Sequence, residues 1–101
     1  MNIYVIVTRG MGGSHDEAVF SSRSLAQQYL SQRDSQGDPN IVDIEVRGNI
    51  EEPNKVFTAS WYERASDIHH FDGVYGSFEG AKKAAGEKGL VLGRVLDERI
   101  G

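Results

Sequence analysis

At 101 residues, with 39% hydrophobic and 26% charged residues, the chain has the make-up of a soluble globule with room for one shared core. Its formal charge of -4 argues against a DNA or RNA binder, which needs a basic surface to release counterions, and is too modest for a DNA mimic. The absence of Cys excludes disulfide scaffolds, thiol catalysis and Cys-ligated zinc, and the opening apolar run Ile3-Tyr4-Val5-Ile6-Val7 is far too short for a signal or membrane segment, so a cytoplasmic protein with no membrane partner is expected.

Residues 2 to 9 are apolar on both alternating faces, the pattern of a central strand covered on both sides. Gly10-Met11-Gly12-Gly13-Ser14 predicts a flexible hairpin loop, and Glu17 to Ser21 a second strand antiparallel to the first. Ser22 is placed to cap a helix from about Arg23 to Arg33, whose stripe Leu25, Ala26, Tyr29, Leu30 must dock on a sheet. After the polar turn Asp34 to Asn40, residues Ile41 to Arg47 alternate, with Val42, Ile44 and Val46 facing a core and Asp43, Glu45 and Arg47 facing water. Gly48 to Asn54 reads as a polar connector tolerant of insertion.

The order then starts again. A strand from Lys55 to about Ala65 carries Phe57, Trp61 and Tyr62; Ser66 to Phe71 predict a loop and Gly73 to Gly76 a short strand. Ser77 caps a helix of about Phe78 to Lys88 with an inner stripe Ala81, Ala84, Ala85, closed by Gly89 at positive φ, and facing something bulky such as Phe57, Trp61 or Phe78. Leu90 to Leu96 form the last strand, and Asp97-Glu98-Arg99 a charged tail. His15-Asp16-Glu17-Ala18-Val19-Phe20-Ser21-Ser22 matches His70-Phe71-Asp72-Gly73-Val74-Tyr75-Gly76-Ser77, and the third strands align as Ile41-Val42 with Leu90-Val91 and Val46 with Val95. The expectation is a single α+β domain over 1–101, built of tandem ββαβ pseudo-repeats at about 1–48 and 55–101. Each third strand returns beside its first, in a mainly antiparallel sheet with two helices on one face.

The opening strand, Val19-Phe20-Ser21-Ser22 with Ala26 four residues on, and the alternating acidic strand Ile41-Val42-Asp43-Ile44-Glu45-Val46 resemble small uncharacterised ββαβ proteins common in phage and bacterial genomes. The resemblance covers one half directly and the other through the repeat; it implies a fold, with no reaction and no catalytic residues.

The chain carries three His, all at the start of the repeated stretch. His15 and His70 are equivalent, so an axis between the repeats would bring them together with Asp16 and Asp72 as an acid/base or metal-binding pair; exposed loop residues are the plainer reading. The Gly10 to Ser14 loop lacks the Lys-Ser/Thr ending of a phosphate loop and leads into a strand. Ser, His and Asp all occur, without the strained turn that exposes a nucleophile. Trp61 and Tyr62 point to opposite faces of their strand, so one of them is at a surface beside Arg64, the composition of an interface hot spot. The leading expectation is a non-enzymatic interaction protein, of phage or mobile-element type, that binds and modulates a host protein through Trp61, Tyr62, Asp43, Glu45, Glu51 and Glu52. The alternative is a small-ligand or nucleotide site between the repeats, lined by Gly10, Gly12, Gly13, His15, His69, His70 and Asp72. No cofactor, resident metal or nucleic-acid partner is expected, and exposed first or third strands would allow a homodimer.

Overall fold

The computed structural model describes residues 1–34 and 37–98; Ser35 and Gln36 of the expected polar turn and Arg99 of the expected tail lie outside the described residues. Strand β1 (Asn2–Gly10) turns into β2 (Gly13–Phe20), which leads through helix α1 (Arg23–Gln32) to β3 (Asn40–Glu45); β4 (Lys55–Glu63), β5 (Ile68–Tyr75), α2 (Phe78–Ala85) and β6 (Leu90–Val95) follow in the same order. The six strands lie in the order β3-β1-β2-β5-β4-β6, antiparallel except where β2 meets β5. β1 and β4 are each the middle strand of three, as the two-sided apolar pattern of β1 requires.

Matched strands pair in matched ways. Val5 of β1 faces Val19 and Val42, and Thr58 of β4 faces Val74 and Leu92. Each hairpin has a bulge, leaving Glu17 unpaired in β2 and Asp72 unpaired in β5. This register sets Ile41 against Val91, Val42 against Leu92 and Ile44 against Arg94, one residue away from the alignment the sequence suggests. Strings of Val and Leu do not mark their own register, because apolar residues occupy both faces of β6.

Each helix packs on the strands of its own half. α1 packs Ala26, Leu25, Tyr29 and Leu30 on Tyr4, Ile6, Ala18, Phe20 and Ile41. α2 packs Ala81, Ala84 and Ala85 on Phe57, Ala59, Tyr75 and Val91. The faces turned away from both helices meet in one cluster, Ile3, Val5, Val7, Val19, Val46, Val56, Val74 and Leu96, with Val42, Ile44, Ile50 and Phe71 at its margin. The sheet therefore folds over on itself. Backbone bonds close it: Asp97 N–H donates to Val19 O, while Arg47 N–H donates to Val74 O and Arg47 O accepts from Gly76 N–H.

Several local expectations change. The predicted Gly loop is a tight turn of Met11 and Gly12, and β2 starts at Gly13 rather than Glu17. Gly13 holds the joint between the halves: it faces His69 of β5, and a Cβ there would lie 1.8 Å from His69 O. The predicted Ser66 to Phe71 loop shrinks, since β5 begins at Ile68 and places His69, His70 and Asp72 in a strand. α2 ends at Ala85, and Gly86, not Gly89, takes the positive φ of 79°. The connector is not idle, because Ile50 packs on the shared core and Glu51 N–H donates to Gly76 O. Both caps form as expected, Ser22 accepting from Leu25 N–H at 3.2 Å and Ser77 from Gly80 N–H at 3.1 Å. No helix among the described residues is long and apolar enough to cross a membrane.

Candidate functional site

The antiparallel register sets Trp61 of β4 opposite His70 of β5, and their rings stack at 4.5 Å and 24°. The next pair, Tyr62 and His69, packs at 5.2 Å with a 51° tilt. His70 Nε2 is sealed from solvent and stands 3.3 Å from Glu63 Oε1, yet it makes no aligned hydrogen bond; the contact is electrostatic and operates when the ring is protonated. The Glu63 carboxyl is held below the usual carboxylate range, first by the Ser66 hydroxyl that donates to it and then by His70, with burial opposing. The Tyr62 phenol is raised, first because it donates to Asp67.

Two clefts flank this stack. One, of about 310 Å³, is lined by Trp61, Tyr62, Arg64 and the α2–β6 turn from Ala85 to Gly89. Ala85, Gly86 and Gly89 leave its floor low, and Trp61 remains 41% exposed beside it. The other, also about 310 Å³, is lined by Arg9, Gly10, Gly13, Ser14 and His70. There the Ser14 hydroxyl oxygen accepts Phe71 N–H at 2.9 Å, which leaves its proton available to a ligand.

The expected residues thus fall into separate places. Trp61 and Tyr62 share a cleft. Asp43 and Glu45 stand on β3, separated from β4 in the strand order by β1, β2 and β5, with Asp43 accepting from Asn2. Glu51 lies in the connector, and Glu52 reaches Lys55 at 3.9 Å. Of the alternative set, Gly10, Gly13 and His70 meet around the second cleft; Gly12, His15, His69 and Asp72 are not in its lining. Asp72 instead accepts from the Tyr75 hydroxyl at 2.9 Å, and that phenol is raised by burial first and by Asp72 next. Among the described residues no group of three His, Cys, Asp or Glu could hold a metal. Arg64, noted beside Trp61 and Tyr62, lines the first cleft, and Ser14 of the Gly10 to Ser14 loop lines the second; Arg9 joins it without having been singled out.

A third cluster joins the halves from inside. Asp16, whose side chain is 2% exposed, accepts from Arg94 Nε and from Thr58 Oγ1, each at 2.8 Å, and its backbone carbonyl accepts from Arg94 at 2.8 Å. These bonds tie β2 of the first half to β4 and β6 of the second. Comparison of the chain with protein-family models, with curated proteins and with solved structures gave no match.

Proposed function

We propose that the chain is a non-enzymatic interaction protein that binds and modulates a protein partner at the Trp61 cleft. One observation carries this reading. An exposed Trp, braced from behind by a stacked His, stands over a low floor of Ala and Gly and is rimmed by Tyr62, Arg64, Glu87 and Lys88. Such an arrangement suits an anchor residue, because the ring loses little freedom on binding and small floor residues leave room for an incoming side chain. In this reading the acidic residues of β3 and the connector are not part of the contact. The two halves are read as a tandem ββαβ pseudo-repeat whose second copy has acquired the exposed ring, since Trp61 of β4 stands where Thr8 stands in β1, each opposite a repeated His. The test is capture from extracts of the cell that encodes the chain, followed by mass spectrometry. A partner retained by the parent chain should be lost with Trp61→Ala/Arg64→Ala and kept with Asp43→Asn/Glu45→Gln. A partner indifferent to Trp61 would refute the reading.

The second cleft supports another reading, a small anionic ligand held by Arg9, the Ser14 hydroxyl and the backbone at Gly10 and Gly13. A ligand bound to the native state must raise its stability by mass action. Thermal unfolding that does not move in millimolar phosphate or nucleotide would remove this reading.

A further inference from the structure

The two edge strands of the sheet, β3 and β6, occupy matched places but are finished differently. Just past β6, Leu96 N–H donates inward to Asn54 O, so strand residues of that parity turn their backbone groups toward β4; Val91, Gly93 and Val95 turn theirs outward. Just past β3, Val46 N–H donates inward to Met1 O, and Ile41, Asp43 and Glu45 turn theirs outward by the same rule. The matched pairs are thus Ile41 with Val91, Asp43 with Gly93, and Glu45 with Val95. A second strand laid on β3 in antiparallel fashion would set carboxylates close together, which is a common way of blocking edge pairing. β6 lacks both carboxylates.

Leu90, Leu92 and Val95 are 45%, 43% and 45% exposed, so β6 is apolar on both faces, like a central strand, while sitting at an edge. Its one charge, Arg94, is turned inward onto Asp16. Beyond Val95 the edge is already used by the bond from Asp97 N–H to Val19 O, which confines the open stretch to Val91 through Val95.

We infer that β6 pairs with β6 of a second copy of this chain, antiparallel about a twofold axis at Gly93. That register sets Gly93 opposite Gly93 and Val91 opposite Val95, so every outward backbone group of the three residues finds a partner. The flanking pair on the other face is Leu92 with Arg94, and no like charges are opposed. The surface used is separate from the Trp61 cleft reading and does not depend on it.

Light scattering coupled to size exclusion, with amide hydrogen exchange, tests the pairing. The parent chain should run as a dimer at about 100 μM, with the Val91, Gly93 and Val95 amides protected. Placing the guards of β3 on β6, as Gly93→Asp/Val95→Glu, should give a folded monomer with those amides released; Val95→Glu alone should weaken the dimer at least tenfold. Circular dichroism of each variant checks the fold, and Val95→Thr, which keeps the strand without a charge, should remain dimeric. A parent chain that is monomeric at that concentration overturns the inference, as does a dimer unmoved by both charged variants. A monomer whose β6 edge pairs only with a strand of another protein also overturns it.

Discussion

The interior where the two halves meet has two matched crossings, one charged and one apolar. Asp16, Thr58 and Arg94 form the first; Phe71, Val5 and Ile44 hold the corresponding strand positions in the second, inside the shared apolar cluster. Asp16 and Phe71 each directly precede a bulge, Thr58 and Val5 each sit mid-strand opposite a Val of the adjoining hairpin strand, and Arg94 and Ile44 pair with Val56 and Ile3. The difference teaches which partner each half accepts. Two first halves facing one another would bury Asp16 against Val5 and Ile44, and two second halves would bury Arg94 against Phe71. Each case strands a charge away from water, at a cost of several kcal/mol. Only a first half on a second half satisfies both crossings.

Breaking the charged crossing should have the largest effect. Asp16→Ala leaves Arg94 and Thr58 without their acceptor, and a loss of about 3–5 kcal/mol is expected in urea unfolding. Writing the apolar crossing over the charged one, as Asp16→Phe/Thr58→Val/Arg94→Ile, should behave in the opposite way. Buried pairs replaced by well-packed apolar groups are often neutral or gain about 1–4 kcal/mol. The triple variant should match or exceed the parent in unfolding free energy while forming exchanged dimers more readily on refolding. A large loss of stability in a correctly folded triple variant would show that the charge pair itself is the main stabiliser.

The helices extend the contrast with smaller effects. α1 buries large side chains, and Tyr29 and Arg33 converge on the bulge residue Glu17, with Arg33 Nε at 2.6 Å. α2 buries only Ala, close against β4. Leu30→Ala, at a partly buried position, should cost about 2 kcal/mol, the low end for such a truncation. Ala84→Gly in α2 should cost about 1 kcal/mol through helix propensity alone. Denaturant midpoints at constant m-value measure both, and a larger loss for Ala84 than for Leu30 would reverse the assignment of which helix supplies the buried area.

Much of this architecture was legible in the chain. The caps Ser22 and Ser77 announced both helices, and alternation gave the facing of Val42, Ile44 and Val46. The bulges at Glu17 and Asp72 were not legible, because the loss of one pairing partner leaves no compositional trace. Without them the strand starting at Gly13 looked like a loop, and His69 and His70 looked like loop residues. Arg94 was the missed signal: a single charge within Leu90 to Leu96 must turn outward or find a buried acid, and Asp16, just ahead of the apolar run Ala18 to Phe20, was a candidate. The site was half legible, since Trp61 and Tyr62 were singled out by composition, whereas the floor from Ala85 to Gly89 and the contribution of Arg9 and Ser14 come from tertiary placement.

The smallest effect sharpens the comparison at the two repeated histidines. His70 has an ion-pair partner, Glu63, which occupies the place that Gly10 holds in the first half; among the described residues His15 has no such contact. Because the Glu63 pKa is depressed in the folded chain, its contribution to stability is present above the unfolded value of about 4.3 and is lost as pH falls through the lower folded value. The parent chain should therefore lose stability on the acid side relative to Glu63→Gln, with the two converging below the folded pKa. The Ser66 hydroxyl is the larger cause, so Ser66→Ala should raise the Glu63 pKa, read by side-chain carboxyl NMR, more than His70→Ala does. The opposite order would mean that the stacked His70, rather than the turn after β4, sets the charge at the edge of the Trp61 cleft.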